Sequence, residues 1–408
     1  MNRLVTKWNK LSLVLRIVVG LVVGATLGLV FPSLTAVGVL GLLFVNALKA
    51  IAPVLVAVLV AASIAKAKGG LGNRFRTVIC LYVCSTLLAA VVAVVASNLF
   101  AVTIRLKDAV PSDAPANLTV IFHNLVSNLV ANPISALANA NYIGVLFWAI
   151  VIGLALKKMA SEKTIQVVVD FSHVISQVVK WVIQFAPFGI MGLVFSSVSE
   201  CGLEIFTEYG RLLLLLVGCM LFSALVVNPF LVALLLRKNP YPLVWKCISV
   251  SGISAFFTRS SAANIPINMD LCKQMKLEED FYTVSIPLGS TINMNGAAIT
   301  ITVMTLAVCH TLGIQVSPSS AILLCVISAL AACGSSGVAG GSLLLIPMAC
   351  ALFGISNDVS MQVVAVGFII GVVQDSVETA LNSSGDVIFT ATADLFEHKK
   401  KYIRKGML

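Results

Sequence analysis

Charge is what this sequence has least of. Only 11% of its 408 residues are Asp, Glu, Lys or Arg, against about a quarter in soluble domains, which excludes an ordinary water-exposed surface. Histidine is scarcer still, with four residues far apart. The ten cysteines occur without any CxxC or Cys/His metal spacing, which excludes a zinc module. They read as small hydrophobes of a packed core, including Cys80 and Cys84 one helical turn apart. No small-residue cleavage signature follows the first apolar run, so no removable signal peptide is expected. What fills the chain instead is 59% hydrophobic residues and a mean hydropathy of +1.02, the composition of a polytopic membrane protein. The net charge of +10 lies in short clusters between apolar runs. That distribution is a topology signal and not a nucleic-acid patch.

The predicted fold is all-α, with eight transmembrane spans and two re-entrant helical hairpins. Residues 1–238 hold six spans, near 11–31, 36–65, 77–104, 142–156, 165–198 and 210–236. Asp170 and His173 read as an interfacial face of the fifth span, and Pro187 as a kink in it. Lys66, Lys68, Arg74 and Arg76 follow the second span, Lys157, Lys158 and Lys163 the fourth, and Arg237 and Lys238 the sixth. All fall on one side, which the positive-inside rule makes cytoplasmic, together with both termini. The polar stretch from Arg105 to Asn141 is placed outside or partly within the membrane.

From 239 to 408 the pattern changes. Hairpin one (243–270) has arms shorter than the roughly 20 residues a span needs, joined at Thr258-Arg259-Ser-Ser261-Ala-Ala-Asn264. Span seven (280–312) is interrupted by Gly289-Ser-Thr291-Ile-Asn293-Met294-Asn295-Gly296. Hairpin two (318–355) turns through Cys333-Gly-Ser335-Ser-Gly-Val338-Ala-Gly340, and span eight (360–398) closes the chain. Irregular backbone at membrane depth survives only inside protein or along a wet cavity. The hairpin-then-span unit occurs twice, an odd number of crossings apart. The two units are therefore inverted repeats, an arrangement in which substrate binds near the midplane.

Span eight carries the polar groups. Asp375, Thr379, Asn382 and Asp386 recur at spacings of four, three and four, which is one stripe of a helix. Each ionisable group at such depth costs about 2.5–3.5 kcal/mol on insertion scales, so the stripe marks an ion or substrate path. Sodium takes oxygen ligands, which an interrupted helix supplies as carbonyls and Asp386 as a carboxylate. Asp375 can hold a substrate ammonium, and the hairpin turns can offer N–H groups to a carboxylate. Arg259 either snorkels to the cytoplasmic face or pairs with Glu378 or Asp375. An intramembrane aspartyl protease is excluded, because eleven residues put Asp375 and Asp386 about 16 Å apart on one helix and a shared-proton dyad needs about 3 Å. No enzymatic activity is expected. A dedicated channel is disfavoured by the asymmetry of the two hairpin tips.

Arg259-Ser-Ser-Ala-Ala-Asn-Ile-Pro266, Asn293-Met-Asn-Gly296, the Gly-rich second hairpin and Asp375 with Asn382 and Asp386 together resemble the dicarboxylate/amino acid:cation symporter family, the glutamate transporter homologues. Within that family the chain is similar to the bacterial sodium/serine-threonine symporter branch. The resemblance implies a homotrimer in the inner membrane, in contact with lipid, that co-transports sodium with serine or threonine by an elevator movement. In it residues 1–238 are mainly scaffold, the third span also lining the core, and 239–408 form the transport core. It implies one sodium site from Gly289, Asn293, Asn382 and Asp386, and a second from Thr291, Met294, Ala332, Cys333 and Ser335. Substrate would meet Asp375, Thr379, Asn382, Ser261, Val338 and Gly340, with Arg259 and Glu378 nearby. Two departures change the expectation. Glu378 stands where acidic-substrate members carry an arginine, and a substrate carboxylate about 4 Å from an ionised Glu378 would be repelled by roughly 4 kcal/mol at a dielectric of 20, unless Glu378 is protonated or neutralised by Arg259. Small neutral amino acids fit better, with dicarboxylates or acidic amino acids as the alternative. Asn295 replaces an aspartate beside Tyr82, Ser85 and Thr86, so fewer coupled sodium ions are expected.

Overall fold

The computed structural model describes residue 11 and residues 13–66, 72–106, 130–335 and 340–397. Val338, most of the stretch from Arg105 to Asn141, and both termini lie outside them. Among the described residues every regular element is helical. The first two helices, α1 (Leu13–Val30) and α2 (Ala36–Lys66), are separated at Pro32, since a proline disfavours helical backbone in the residue before it. Next come α3 (Gly72–Leu99), the short α4 (Pro133–Ala138), α5 (Tyr142–Met159), α6 (Glu162–Gln184) and α7 (Ala186–Cys201). The last two meet at 52°. Pro187, in the first turn of α7, has no N–H for the preceding turn, which gives the expected kink its cause.

The sixth apolar run is α8 (Glu204–Phe222) continued through a π turn (Ser223–Val227) into α9 (Asn228–Leu236). The wider turn lies immediately before Pro229, where a regular ladder would lose a donor. Then α10 (Tyr241–Cys247), a second π turn (Ile248–Gly252) and α11 (Ile253–Thr258) form one arm, and α12 (Ser261–Gln274) forms the other. Between them Arg259 takes left-handed backbone, φ 51°. The seventh run is α13 (Glu279–Ile292) and α14 (Asn295–Thr311), and only Asn293 and Met294 leave the helix. The predicted interruption from 289 to 296 is therefore narrower than expected: Gly289, Ser290 and Thr291 stay helical. Finally, α15 (Pro318–Ala332), a 3-10 turn (Gly341–Leu345) and α16 (Ile346–Ala351) lead into the 41-residue α17 (Asn357–Glu397).

Five runs among the described residues are long and apolar enough to cross a membrane: α2, α3, α8–α9, α13–α14 and α17. The bent pair α6–α7 makes a sixth. These helices pack in two groups. In one, α1 lies along α7, and α2 touches α5, α6 and α7. In the other, α17 is surrounded by the arms α11 and α12, by α13, α14 and α16, and by α3. The sixth run, grouped by sequence with the first five, packs chiefly on α3, α14 and α17 instead. A physical reason is Asn228 in its middle, which is fully buried and meets Asn295 of α14 at 3.4 Å. Such an amide cannot face lipid.

The first group is held chiefly by close contact, with few polar pairs such as Ser199 Oγ donating to the Gly28 carbonyl at 3.4 Å. Gly20, Gly24 and Gly28 recur every four residues on α1 and lie against the backbone of α7. A Cβ at Gly20 or Gly24 would collide with the carbonyl of Pro187 or Met191, and one at Gly28 would sit 2.8 Å from the carbonyl of Phe195. Small residues let two backbones approach closely enough for dispersion to hold them where lipid removes the hydrophobic drive. The spacing was available in the sequence but passed unread. Gly24→Val should separate α1 from α7 and lower stability by about 1–3 kcal/mol, as overpacking does, measured as a fall in thermal midpoint in detergent. Gly210→Ala, where nothing lies within 4 Å of the added carbon, should leave the midpoint unchanged.

Candidate functional site

Three carboxylates of α17 are buried in the middle of that helix, and each has a different set of partners. Asp386 is wholly inaccessible. Its Oδ1 accepts a hydrogen bond from Asn293 Nδ2 at 2.9 Å, and the same nitrogen donates to the Asn382 carbonyl at 3.1 Å. The second oxygen, Oδ2, is buried without a hydrogen-bond partner. Approach to α13 requires Gly289, where a Cβ would lie 2.8 Å from Asp386 Oδ1. The Gly289 carbonyl still accepts the Asn293 N–H at 2.9 Å, so one of its lone pairs is already engaged. Past it, the break leaves the last carbonyls of α13 without onward helical donors. An orphaned carboxylate oxygen, nearby carbonyls and a buried setting fit a small hard cation.

Asn382 joins the two halves of the seventh run. Its Oδ1 accepts the Gly296 N–H at 2.8 Å, capping α14, while its Nδ2 points to Met294 Sδ at 3.5 Å. The end of α15 comes to the same break. Cys333 Sγ donates to the Ile292 carbonyl at 3.8 Å, and Ser335 Oγ turns back to the Ala332 carbonyl at 2.7 Å. Thr291 Oγ1 donates to the Leu288 carbonyl at 2.7 Å. Thr291, Met294 and the Ala332–Ser335 turn thus lie around one gap, although their polar atoms are mostly engaged locally.

Asp375 links the turn after α11 to the residue that precedes the 3-10 turn. Its Oδ2 accepts from Arg259 Nε at 2.7 Å, and its Oδ1 accepts the Gly340 N–H at 3.1 Å. Of the positions open to Arg259, the structure selects Asp375. The arginine neither snorkels away nor reaches Glu378. Ser261 begins α12 next to this pair, 7% exposed. Thr379 donates to the backbone of Asp375 at 2.7 Å, which leaves its oxygen free to accept.

Glu378 turns the other way. Its Oε2 accepts from Thr300 Oγ1 at 2.7 Å, from Ser342 Oγ at 2.9 Å and from Gln374 Nε2. Gly296 makes this possible, because a Cβ there would meet Glu378 Cα at 2.8 Å. Without it α17 could not come within reach of Thr300. Thr300, Ser342 and Gln374 were missed by sequence reasoning. Gln374 precedes Glu378 by one turn and could have been found, but the other two are distant in the chain.

The neutral replacement at Asn295 is well accommodated. Its Oδ1 accepts from Ser85 at 3.1 Å and Thr86 at 2.8 Å. Tyr82 instead reaches Thr390 Oγ1 at 3.0 Å and the carbonyls of Ser285 and Asp386 at 3.2 and 3.3 Å. Further along, the arm α12 is fastened to α17 through Ser383, whose hydroxyl accepts from Asn264 at 2.8 Å and Asn268 at 3.0 Å. Arg74, read only as a topology charge, also pairs at 3.1 Å with the buried Asp394.

A model of the sodium:dicarboxylate symporter family matches residues 13–396. The chain is similar to the serine/threonine transporter SstT of Bifidobacterium adolescentis, at 58% identity over 388 residues that cover 95% of this chain and 90% of that one. It is 52% identical over 402 residues to the serine/threonine transporter SstT of Streptococcus thermophilus, covering 98% and 100%. A protein of the same name from Streptococcus agalactiae is 53% identical over 403 residues, again covering 98% and 100%.

Breaking a buried pair by removing one partner costs about 3–5 kcal/mol, because the other charge is left uncompensated. Arg259→Met should therefore destabilise purified protein strongly, and Arg259→Met with Asp375→Asn should cost less than the two single changes summed. Additive losses in a denaturation double-mutant cycle would show that the contact carries no coupling.

Proposed function

The chain belongs to the sodium:dicarboxylate symporter family, and from that membership we propose that it imports L-serine and L-threonine with sodium across the bacterial inner membrane. The observation that carries the substrate reading is Glu378. Its buried carboxylate occupies the position from which an acidic substrate would need a cation, and the relatives bear a serine/threonine name. Three neutral donors meet Oε2 inside the protein, and none brings the positive charge that an acidic side chain would need. Without substrate, Arg259 is paired with Asp375 and not with Glu378. A short neutral side chain adds no charge to this setting.

In this reading the substrate ammonium binds Asp375, sharing the carboxylate with Arg259 or displacing it. The substrate carboxylate takes N–H groups and hydroxyls of the tips near Ser261, Val338 and Gly340, and Thr379 and Asn382 line the same stripe. One sodium is held by Asp386 with carbonyls of Gly289, Asn293 and Asn382. The unengaged Asp386 Oδ2 supports this assignment. A second sodium takes Thr291, Met294, Ala332, Cys333 and Ser335 and is completed as the second tip closes, which couples gating to ion binding. The amide of Asn295 supplies no charge for a third.

We read the arms 241–274 and 318–351 as re-entrant hairpins, and α1 and α5, each 18 residues, as the two remaining crossings. The α1, α2 and α5–α7 group is the static, trimer-forming scaffold. The group around α17, with α3 and α8–α9, is the part that moves. The latter helices carry buried polar contacts to α14 and α17, which a sliding boundary between them would have to break. The Lys and Arg clusters support a cytoplasmic position for both termini.

Proteoliposomes given an inward sodium gradient should accumulate labelled serine, with threonine competing and aspartate not. Aspartate uptake without serine uptake would overturn the substrate reading. Asp386→Asn should raise the sodium concentration for half-maximal uptake by tenfold or more, since about 1.4 kcal/mol of lost charge stabilisation corresponds to that factor. An unchanged sodium dependence would remove Asp386 from the ion site.

A further inference from the structure

Between α3 and α8, on the face turned away from α17, lies a cavity of about 810 Å³ open to the outside of the helix bundle. Its walls are apolar: Val91, Val95 and Leu99 on one side, Leu214 and Phe222 on the other. Leu214 and Leu99 are more than 70% exposed. One charged side chain enters this lining, Arg211, and three features set the groove apart from a plain lipid-facing surface.

The first is the arginine itself. Glu208, one turn away, is engaged by Arg105 at 2.9 Å, and Glu204 by the same guanidinium at 3.4 Å. Among the described residues no carboxylate pairs with Arg211. Arg211 is exposed at the edge of the apolar groove and free to meet an anion, and its planar fork suits phosphate oxygens. The second is length. From Arg211 to Phe222 the helix advances eleven residues, about 16 Å, close to half of a hydrocarbon core about 30 Å thick. The third is Gly218, in the groove wall. No protein atom lies within 4 Å of the place its Cβ would occupy, so this glycine is not required by any helix contact and its effect is to keep the groove open.

We propose that this groove is a binding site for one phospholipid of the leaflet opposite the Arg237–Lys238 end. Its phosphate is held by Arg211, and an acyl chain lies along α3 and α8 past Gly218. A phosphate charge at the arginine and a chain of one leaflet's depth complete the two halves of the site. The inference rests on the membrane-spanning fold and is independent of which amino acid is carried.

Native mass spectrometry of the full-length, delipidated protein titrated with phosphatidylglycerol tests it. One tightly retained lipid per chain is expected. Arg211→Gln should weaken its retention about tenfold, the usual effect of losing a charge-assisted contact. Gly218→Leu should weaken it as much by filling the groove, and a leucine in place of a helical glycine does not threaten folding. Arg237→Gln, at the other end of the same run, should change nothing. Equal retention in all variants would overturn the proposal. So would equally tight binding of diacylglycerol, which has the chains without the phosphate, or capture of a second copy of the chain at this face instead of lipid.

Discussion

Asp375, Glu378 and Asp386 lie within twelve positions of one buried helix, and the burial of these carboxylates constrains everything around them. A charge removed from water must be met by donors or by an opposite charge. No single neighbour could serve all three, because Glu378 leaves the face that carries Asp375 and Asp386, and those two lie about 16 Å apart along the helix. Asp375 is met from the turn after α11 and from Gly340, Glu378 from α14 and the turn before α16, and Asp386 from the break between α13 and α14. The arms, the interrupted run and the 41-residue helix are therefore mutually required. Each would expose unsatisfied groups without the others.

The same accounting explains the division of labour along the stripe. Arg259, from the turn after α11, and the Gly340 amide, just before the 3-10 turn, converge on Asp375 from two distant parts of the chain. Asp386 has one oxygen engaged by Asn293 and one buried without a hydrogen-bond partner. Glu378 is enclosed by hydroxyls and an amide, none of which carries a positive charge.

Outside that core the structure relies on shape. The glycine row of α1 lies against the backbone of α7 with one hydroxyl contact, Ser199 to Gly28, and it belongs to the group of helices with few buried polar residues. Where polar residues do sit in the outer runs, as with Asn228 in α9 and Ser85 and Thr86 in α3, they face α14 and bind those helices to the core. The distribution of amides and hydroxyls, more than chain order, separates the two groups.

Much of this was legible in the chain itself. Hydropathy and charge clusters determined the membrane class, the order of apolar runs and the change of pattern after residue 238. Helical spacing placed Asp375, Thr379, Asn382 and Asp386 on one face, and Pro187 announced its kink. These are local properties, written in the spacing of neighbouring residues. The partner of Arg259, the direction of Glu378, the capping of Gly296 by Asn382 and the attachment of the sixth run to α14 and α17 could be decided only by the tertiary structure. Each joins residues tens to hundreds of positions apart. A side chain with several possible partners takes the one that leaves the fewest buried groups unsatisfied, and that choice exists only once the helices have packed.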